Sequence, residues 1–293
     1  MDLTVLSVGG SIIAPEKVDS VFLKAFREAI VKYLEENKEA KLILVCGGGA
    51  PARIYQEAYR AVRGNQDTGA QDWLGIKATH LNGEIMRAVF SDYTSDEVVT
   101  DPTADIGFEG RILVAAGWKP GFSTDTDAVY LARRFGGKKV VNLSNIKKVY
   151  TDDPRKNPDA KPLDSISWKD FRKMVGYEWK PGLNAPFDPV ASGIAEEEGM
   201  CVICADGRDI ENTMNILKNQ KFQGTIISDL FCSFKLQKER GRICKGGRER
   251  HIFGEIRNPK NIVVALFLLE SFLYIHFIHH IQQMFVLFVA YGT

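Results

Sequence analysis

In KLILVCGGGAPAR (Lys41–Arg53) an apolar run ends in three consecutive glycines. With no side chains at Gly47, Gly48 and Gly49, backbone N–H groups can approach a ligand closely. A helix is expected over Ala50–Arg63, with Ile54, Ala58, Ala61 and Val62 on one apolar face, and its positive end points at the same spot. That is the construction of an anion site. The chain repeats it twice. TVLSVGGSI (Thr4–Ile12) ends a strand in the pair Gly9-Gly10 and the hydroxyl of Ser11. ILVAAGWKPGFSTDTDAVYLARRF (Ile112–Phe135) runs a strand into a glycine turn and then a Ser123-Thr124-Asp125 helix start. Three such strand ends in one chain suggest several phosphates held along one edge of a sheet.

The elements that must position these turns alternate almost throughout. Strands are expected at Leu3–Val8, Leu42–Cys46, Ile112–Ala116, Lys139–Leu143 and Met200–Ala205. Helices are expected at Val18–Leu34, where Val21, Phe22, Ala25, Phe26, Ala29, Ile30 and Tyr33 share helical spacing, and at Asp72–Phe90, Thr124–Phe135, Pro189–Glu198 and Ile210–Leu217. A short helix is expected after the proline-bearing stretch Pro154–Pro162. Alternation of this kind predicts an α/β fold, a mainly parallel sheet with helices on both faces. Ligands then gather at the carboxyl ends of the strands, where the glycine turns lie.

Composition narrows the class. The chain has 293 residues, 45% apolar and 26% charged, with a net charge of +1, which favours neither nucleic acid nor a membrane surface as partner. The total hides an asymmetry: residues 231–293 carry nine Lys and Arg against four Glu, a net of +5, whereas residues 1–230 carry a net of −4. The first strand leaves no room for a charged leader and apolar signal segment, so a cytoplasmic protein is expected. Five cysteines at no framework spacing fit a reducing compartment. Cys201 and Cys204 have redox or zinc spacing, but on a strand residues three apart face opposite sides of the sheet. A structural role is therefore expected for both.

Neither G-x-x-x-x-G-K-[ST] nor G-x-G-x-x-G after a strand occurs, so a P-loop and a dinucleotide site are not supported. What the chain does hold, in order, is VGGSIIAPEKVD, GGGAPAR, Asp72-Trp73-Leu74-Gly75-Ile76, Gly117 to Asp125 (GWKPGFSTD) and LSNIKKVYTDDPRKNPDAK (Leu143–Lys161). In this order and spacing residues 1–230 resemble the amino-acid kinase superfamily, and within it the uridylate kinases of archaeal type. The resemblance ends near GTII (Gly224–Ile227). It implies a three-layer αβα sandwich, residues 1–230, with an N-terminal lobe for the monophosphate and a C-terminal lobe for ATP.

Carried over residue by residue, the resemblance implies an ATP site from Gly10, Ser11, Gly49, Arg53, Ser144, Asn145, Tyr150 and Asp153. It implies a UMP site from Gly48, Asp72 and the loop Trp118, Lys119, Pro120, Gly121, Phe122, Ser123 and Thr124. Ser11, Arg53, Lys119 and Asp125 are the expected catalytic residues, Mg²⁺ accompanies ATP, and no resident metal site is read. The residue chemistry agrees: Asp72 suits ribose hydroxyls, Ser123 and Thr124 suit a phosphate, Tyr150 can stack on adenine and Asp153 can accept from an amino group. Read by themselves, Asp153-Pro154 is an ordinary turn and Asp72 a helix cap.

Three departures stand out. Ser7 lies near the place where related kinases carry a lysine, Ala50 follows the glycine triplet where archaeal-type members carry a lysine, and Ile146-Lys147-Lys148 replaces the usual VDG. The available cations are Lys119, Lys147, Arg53 and Mg²⁺. Alternatives are therefore a kinase of another small phosphate or carboxylate acceptor, and a non-catalytic nucleotide-binding or storage protein. The expected partners are the small molecules UMP and ATP and further copies of the chain, without nucleic acid. From Phe231 a basic stretch (KERGRICKGGRERH) precedes an apolar run, Ile262–Tyr291, interrupted by Glu270, His276, His279 and His280. It reads as an extension that packs on the body or mediates association, with a membrane tail anchor as the alternative.

Overall fold

In the computed structural model, which describes residues 2–64, 67–178 and 185–229, the near-continuous apolar runs become strands buried on both faces. These are β1 (Asp2–Val8), β2 (Ala40–Cys46), β3 (Ile112–Ala115), β4 (Lys139–Ser144) and β6 (Cys201–Asp206). Two short strands, β5 (Ser165–Ile166) and β7 (Thr225–Ile227), complete one seven-stranded sheet in the order β3-β2-β1-β4-β6-β7-β5. All pairings are parallel except β6 with β7.

The helices are α1 (Gly10–Ile13), α2 (Ser20–Glu36), α3 (Gly49–Arg63), α4 (Thr68–Val89), α5 (Thr124–Arg134), α6 (Trp168–Val175), α7 (Pro189–Glu197) and α8 (Ile210–Leu217). They cover both faces of the sheet. Leu6, Val8, Leu42, Leu44, Val141 and Ile203 pack with Phe22, Phe26, Ile30, Met86, Phe90 and Ile216 on one side. Leu3, Val5, Ile43, Val45, Val140 and Val202 pack with Val129, Leu131, Phe171, Phe187 and Ala191 on the other. This is the three-layer αβα sandwich. Cys201 falls in the first core and Cys204 in the second, so the strand does separate the two thiols.

Parallel register aligns the carboxyl ends. Val8 stands opposite both Cys46 and Leu143, which brings the turns at Gly9, Gly47 and Ser144 to one level. The order reverses at β1: β2 and β3 lie to one side, β4 and β6 to the other. That reversal opens a crevice between β1 and β4.

Several elements differ from expectation. The long helix starts at Thr68 rather than Asp72, because the Asp67 carboxylate caps it by accepting from Ala70 N at 2.9 Å. The single turn α1 and the strand β5 carry too few residues to show a period. On α2 Val21 is 80% exposed, while Leu23 and Leu34 are buried in its place. The apolar residues of α3 do not face the core: Ile54 and Val62 are 56% and 81% exposed, and only Ala50 of that helix is buried. The extension 231–293 and the reading of its apolar run lie outside the described residues.

Candidate functional site

The turns after β1 and β2 are built against each other. A Cβ on Gly10 would stand 1.9 Å from Gly49 N, and one on Gly49 would stand 2.4 Å from Gly10 O. Gly49 also has φ +66°, a left-handed conformation that glycine adopts without strain. From α4 the buried side chain of Asn82 donates Nδ2–H to Gly47 O at 2.7 Å and to Gly48 O at 3.1 Å. In a trans peptide the N–H points opposite to the C=O. By drawing both carbonyls toward α4, Asn82 turns the Gly48 and Gly49 amides away from it, and both glycines line the adjoining cleft.

That cleft, of ≈ 340 Å³, is walled by Gly48, Gly49, Arg53, Asp72, Thr79, Pro120, Phe122, Ser123 and Thr124. It unites most of the predicted acceptor residues. Asp72 lies within α4, five positions beyond its cap at Asp67, so the capping alternative for Asp72 does not hold. Arg53 sits in the first turns of α3, with Nη2 3.5 Å from Pro15 O. Ser123 caps α5, accepting from Thr126 N at 3.2 Å, which leaves Thr124 as the first helical residue facing the cleft. The far wall is pinned to α4: Gly117 N donates to Thr79 Oγ1 at 2.7 Å, and His80 Nε2–H donates to Gly117 O at 2.8 Å.

The predicted ATP residues gather at the neighbouring strand ends. Gly9 N donates to Leu143 O at 2.8 Å across the β1–β4 crevice, and Gly207 N donates to Ser144 O at 2.8 Å. Gly10 and Ser11 open α1 beside that point, and Asn145 follows Ser144 at the end of β4. The Ser144 hydroxyl is buried with no partner among the described residues, as a donor awaiting a ligand would be. Tyr150 is bridged to Pro162. The Asp153 carboxylate accepts from Arg155 N and from its guanidinium at 3.0 and 3.1 Å, a local turn that holds it below its ordinary range.

Of the expected acceptor loop, Trp118, Lys119 and Gly121 stand apart from the cleft wall, as does Asp125. The Lys119 ammonium lies 3.7 Å above the Trp118 ring and 5.0 Å from that of Phe122, a cation–π arrangement. Asp125 lies deeper. Its carboxylate accepts from Ser7 Oγ at 2.9 Å and from Asp188 N at 3.3 Å, joining β1, α5 and the start of α7. Burial pushes its carboxyl up to about 6, against the lowering effect of the Ser7 hydroxyl.

Asn82, Thr79 and Asp188 were not singled out in the sequence, and Ser7 stood out there only as a departure from related kinases. Asn82 and Thr79 sit on the buried stripe of α4 with Ile76, Gly83 and Met86. A polar side chain on such a stripe must have a partner, and that was the available signal. Ser7 and Asp188 acquire meaning only through contacts spanning 118 and 63 residues.

Comparison with known proteins bears on the family and the fold. The sequence profile of the amino acid kinase family matches residues 2–206. The chain is 32% identical over 227 residues to the uridylate kinase of Pyrococcus abyssi, covering 76% of this chain and 98% of that protein. It is 31% identical over 239 residues to the uridylate kinase of Methanocorpusculum labreanum, covering 80% and 100%. Among solved structures, the uridylate kinase of Archaeoglobus fulgidus superposes with a TM-score of 0.65 at 26% identity, over 78% of this chain and all of that one.

Proposed function

This chain belongs to the amino acid kinase family, and from that premise we propose that it transfers the γ-phosphoryl group of ATP to UMP. The observation that carries the reading is the cleft that joins Gly48, Gly49, Arg53, Asp72, Ser123 and Thr124. It offers amides, a guanidinium and a helix start to a phosphate, and a carboxylate to ribose hydroxyls. ATP would occupy the adjoining β1–β4 crevice at Gly10, Ser11, Ser144 and Asn145, with Tyr150 and Asp153 on the adenine side. Mg²⁺ arrives with ATP as part of that substrate.

A phosphate oxygen of UMP attacks the γ-phosphorus, the bond to the β,γ-bridging oxygen breaks, and ADP leaves with the electron pair. The attacking group is already an oxyanion, so no general base is needed. Catalysis reduces to in-line positioning and neutralisation of charge. Arg53 and the Gly48 and Gly49 amides serve the transferred group. Asp125 ties together the end of β1 and the starts of α5 and α7, next to Gly9 and Thr124. Lys119 serves the reaction only by leaving the Trp118 ring.

A coupled assay of ADP release with UMP, CMP, dUMP and isopentenyl phosphate tests the reading, and UMP should give the highest kcat/KM. Ala50 in place of a lysine after the triplet favours a second reading, a nucleotide-binding protein without turnover. It would be supported if ATP and UMP bound and no acceptor produced ADP. We further propose that the chain works in the cytoplasm and self-associates. The exposed apolar residues Ile54, Tyr55 and Val62 of α3 support self-association.

A further inference from the structure

Asp127 is unusual in this fold. It sits in the first turn of α5, 1% exposed, and no step of phosphoryl transfer uses it. Its Oδ2 accepts from Trp118 N at 3.2 Å, whereas Oδ1 is buried with no partner among the described residues. The charged groups acting on it are three carboxylates: Asp125 on the same helix, Asp101 in the segment after the Val99 bridge, and Asp188 at the cap of α7. Asp188 is itself occupied by Thr126 Oγ1 at 3.3 Å and Ala191 N at 2.8 Å, and Asp101 by Thr103 N and Oγ1 at 2.8 and 2.6 Å. A buried carboxylate with one hydrogen bond, facing further carboxylates, is strongly disfavoured as an anion.

The contact that Asp127 does make is consequential. Gly117 is held by Thr79 and His80 of α4, and Trp118, one residue on, is held by Asp127 of α5. Beyond these anchors the loop runs through Pro120 and Phe122 to Ser123 and Thr124, which wall the acceptor cleft. We propose that Asp127 is a positioning residue for the acceptor loop: its carboxyl oxygen anchors the Trp118 amide, and loss of that anchor frees the loop and weakens binding of the phosphate acceptor. The proposal rests on the reading of this cleft as the monophosphate site.

Burial and the neighbouring carboxylates raise the Asp127 carboxyl to about 8, within reach of an ordinary assay. The sign follows from linkage. Between the ordinary carboxyl range and about 8 the folded chain holds a proton that the unfolded chain has released. Asp127 therefore contributes stability that is lost as pH rises through that window. Asparagine at 127 keeps an oxygen for Trp118 N and cannot ionise.

The test measures KM for UMP and for ATP from pH 7 to 9.5 in the full chain and in Asp127→Asn and Asp127→Ala. A phosphate monoester with second pKa near ~6 is already a dianion over this range. Asp127→Asn keeps the anchor and should keep both constants of the unsubstituted protein. It should also gain thermal stability over the unsubstituted protein as pH rises toward 8. Asp127→Ala should raise the UMP constant at every pH, with the ATP constant steady. An unchanged UMP constant in Asp127→Ala would overturn the proposal, as would a UMP constant raised as much in Asp127→Asn as in Asp127→Ala. Absence of UMP turnover in the unsubstituted protein would instead refute the kinase reading beneath it.

Discussion

Replacing Asn82 should damage stability and turnover together, by amounts that can be worked from its two bonds. Asn82→Ala removes the donor that reaches Gly47 O at 2.7 Å and Gly48 O at 3.1 Å. Gly47 O then remains buried and unpaired beside a small cavity, whereas Gly48 O, the N-cap carbonyl of α3, keeps the first intrahelical bond. An unpaired acceptor costs about 1–3 kcal/mol, and a loss of that order is expected. That is a large part of a typical stability of about 5–15 kcal/mol. Once the Gly47 carbonyl is free to turn, the Gly48 amide loses its fixed direction. Loss of a preorganised amide donor at a developing oxyanion costs about 10²–10³ in kcat. Asn82→Asp is the sharper probe, since it keeps the shape and sets an oxygen against two carbonyl oxygens. It should be less stable than the alanine variant at pH 7 and recover as pH falls and the carboxyl takes up a proton. Urea unfolding gives the first quantity and the ADP-release assay under saturating UMP and ATP gives the second. An alanine variant that loses stability but keeps kcat within about threefold would show that Asn82 only packs, and that the glycine turn holds its own geometry.

Arg53→Ala should cut kcat by about 10²-fold or more with little change in melting temperature, because among the described residues the exposed guanidinium makes one long bond, to Pro15 O. Undiminished turnover would remove it from the site. Asp72→Asn should raise KM for UMP far more than KM for ATP, as expected of a cleft-lining carboxylate that caps no helix; equal changes would deny it a role at the ribose. A chain ending at Leu230 should retain UMP kinase activity and be more soluble than the full chain. Loss of activity would place residues 231–293 within the catalytic body, and detergent partitioning of the full chain alone would favour the tail anchor.

The sheet was legible because both of its faces are buried. Runs such as Leu3–Val8 and Lys139–Leu143 declare strands with little ambiguity, and the glycines that follow mark the ligand edge. The acceptor half of the site was legible for the same reason: Gly48, Asp72, Pro120, Phe122, Ser123 and Thr124 lie on motifs and meet in one cleft. Helix faces were harder to read. Helical spacing shows which residues share a stripe but not which way the stripe points, and Ile54 and Val62 face outward. The supporting groups were hardest, because Asn82, Ser7 and Asp188 act across long sequence separations that only the assembled sheet brings together.

The contact between the glycine turns also bears on how such a chain can change over generations. A methyl group on Gly10 would run into Gly49, one on Gly47 would come within 2.4 Å of Gly10 N, and one on Gly49 would run into Gly10 and Ala14. Each of the three sites is closed by backbone rather than by a side chain, so no compensating substitution elsewhere can open room for it. Gly10, Gly47 and Gly49 are therefore locked jointly, and one-step mutational paths away from glycine end in steric conflict at each of these three positions. Variation in this neighbourhood is channelled to the positions flanking the turns, while the backbone cradle stays fixed.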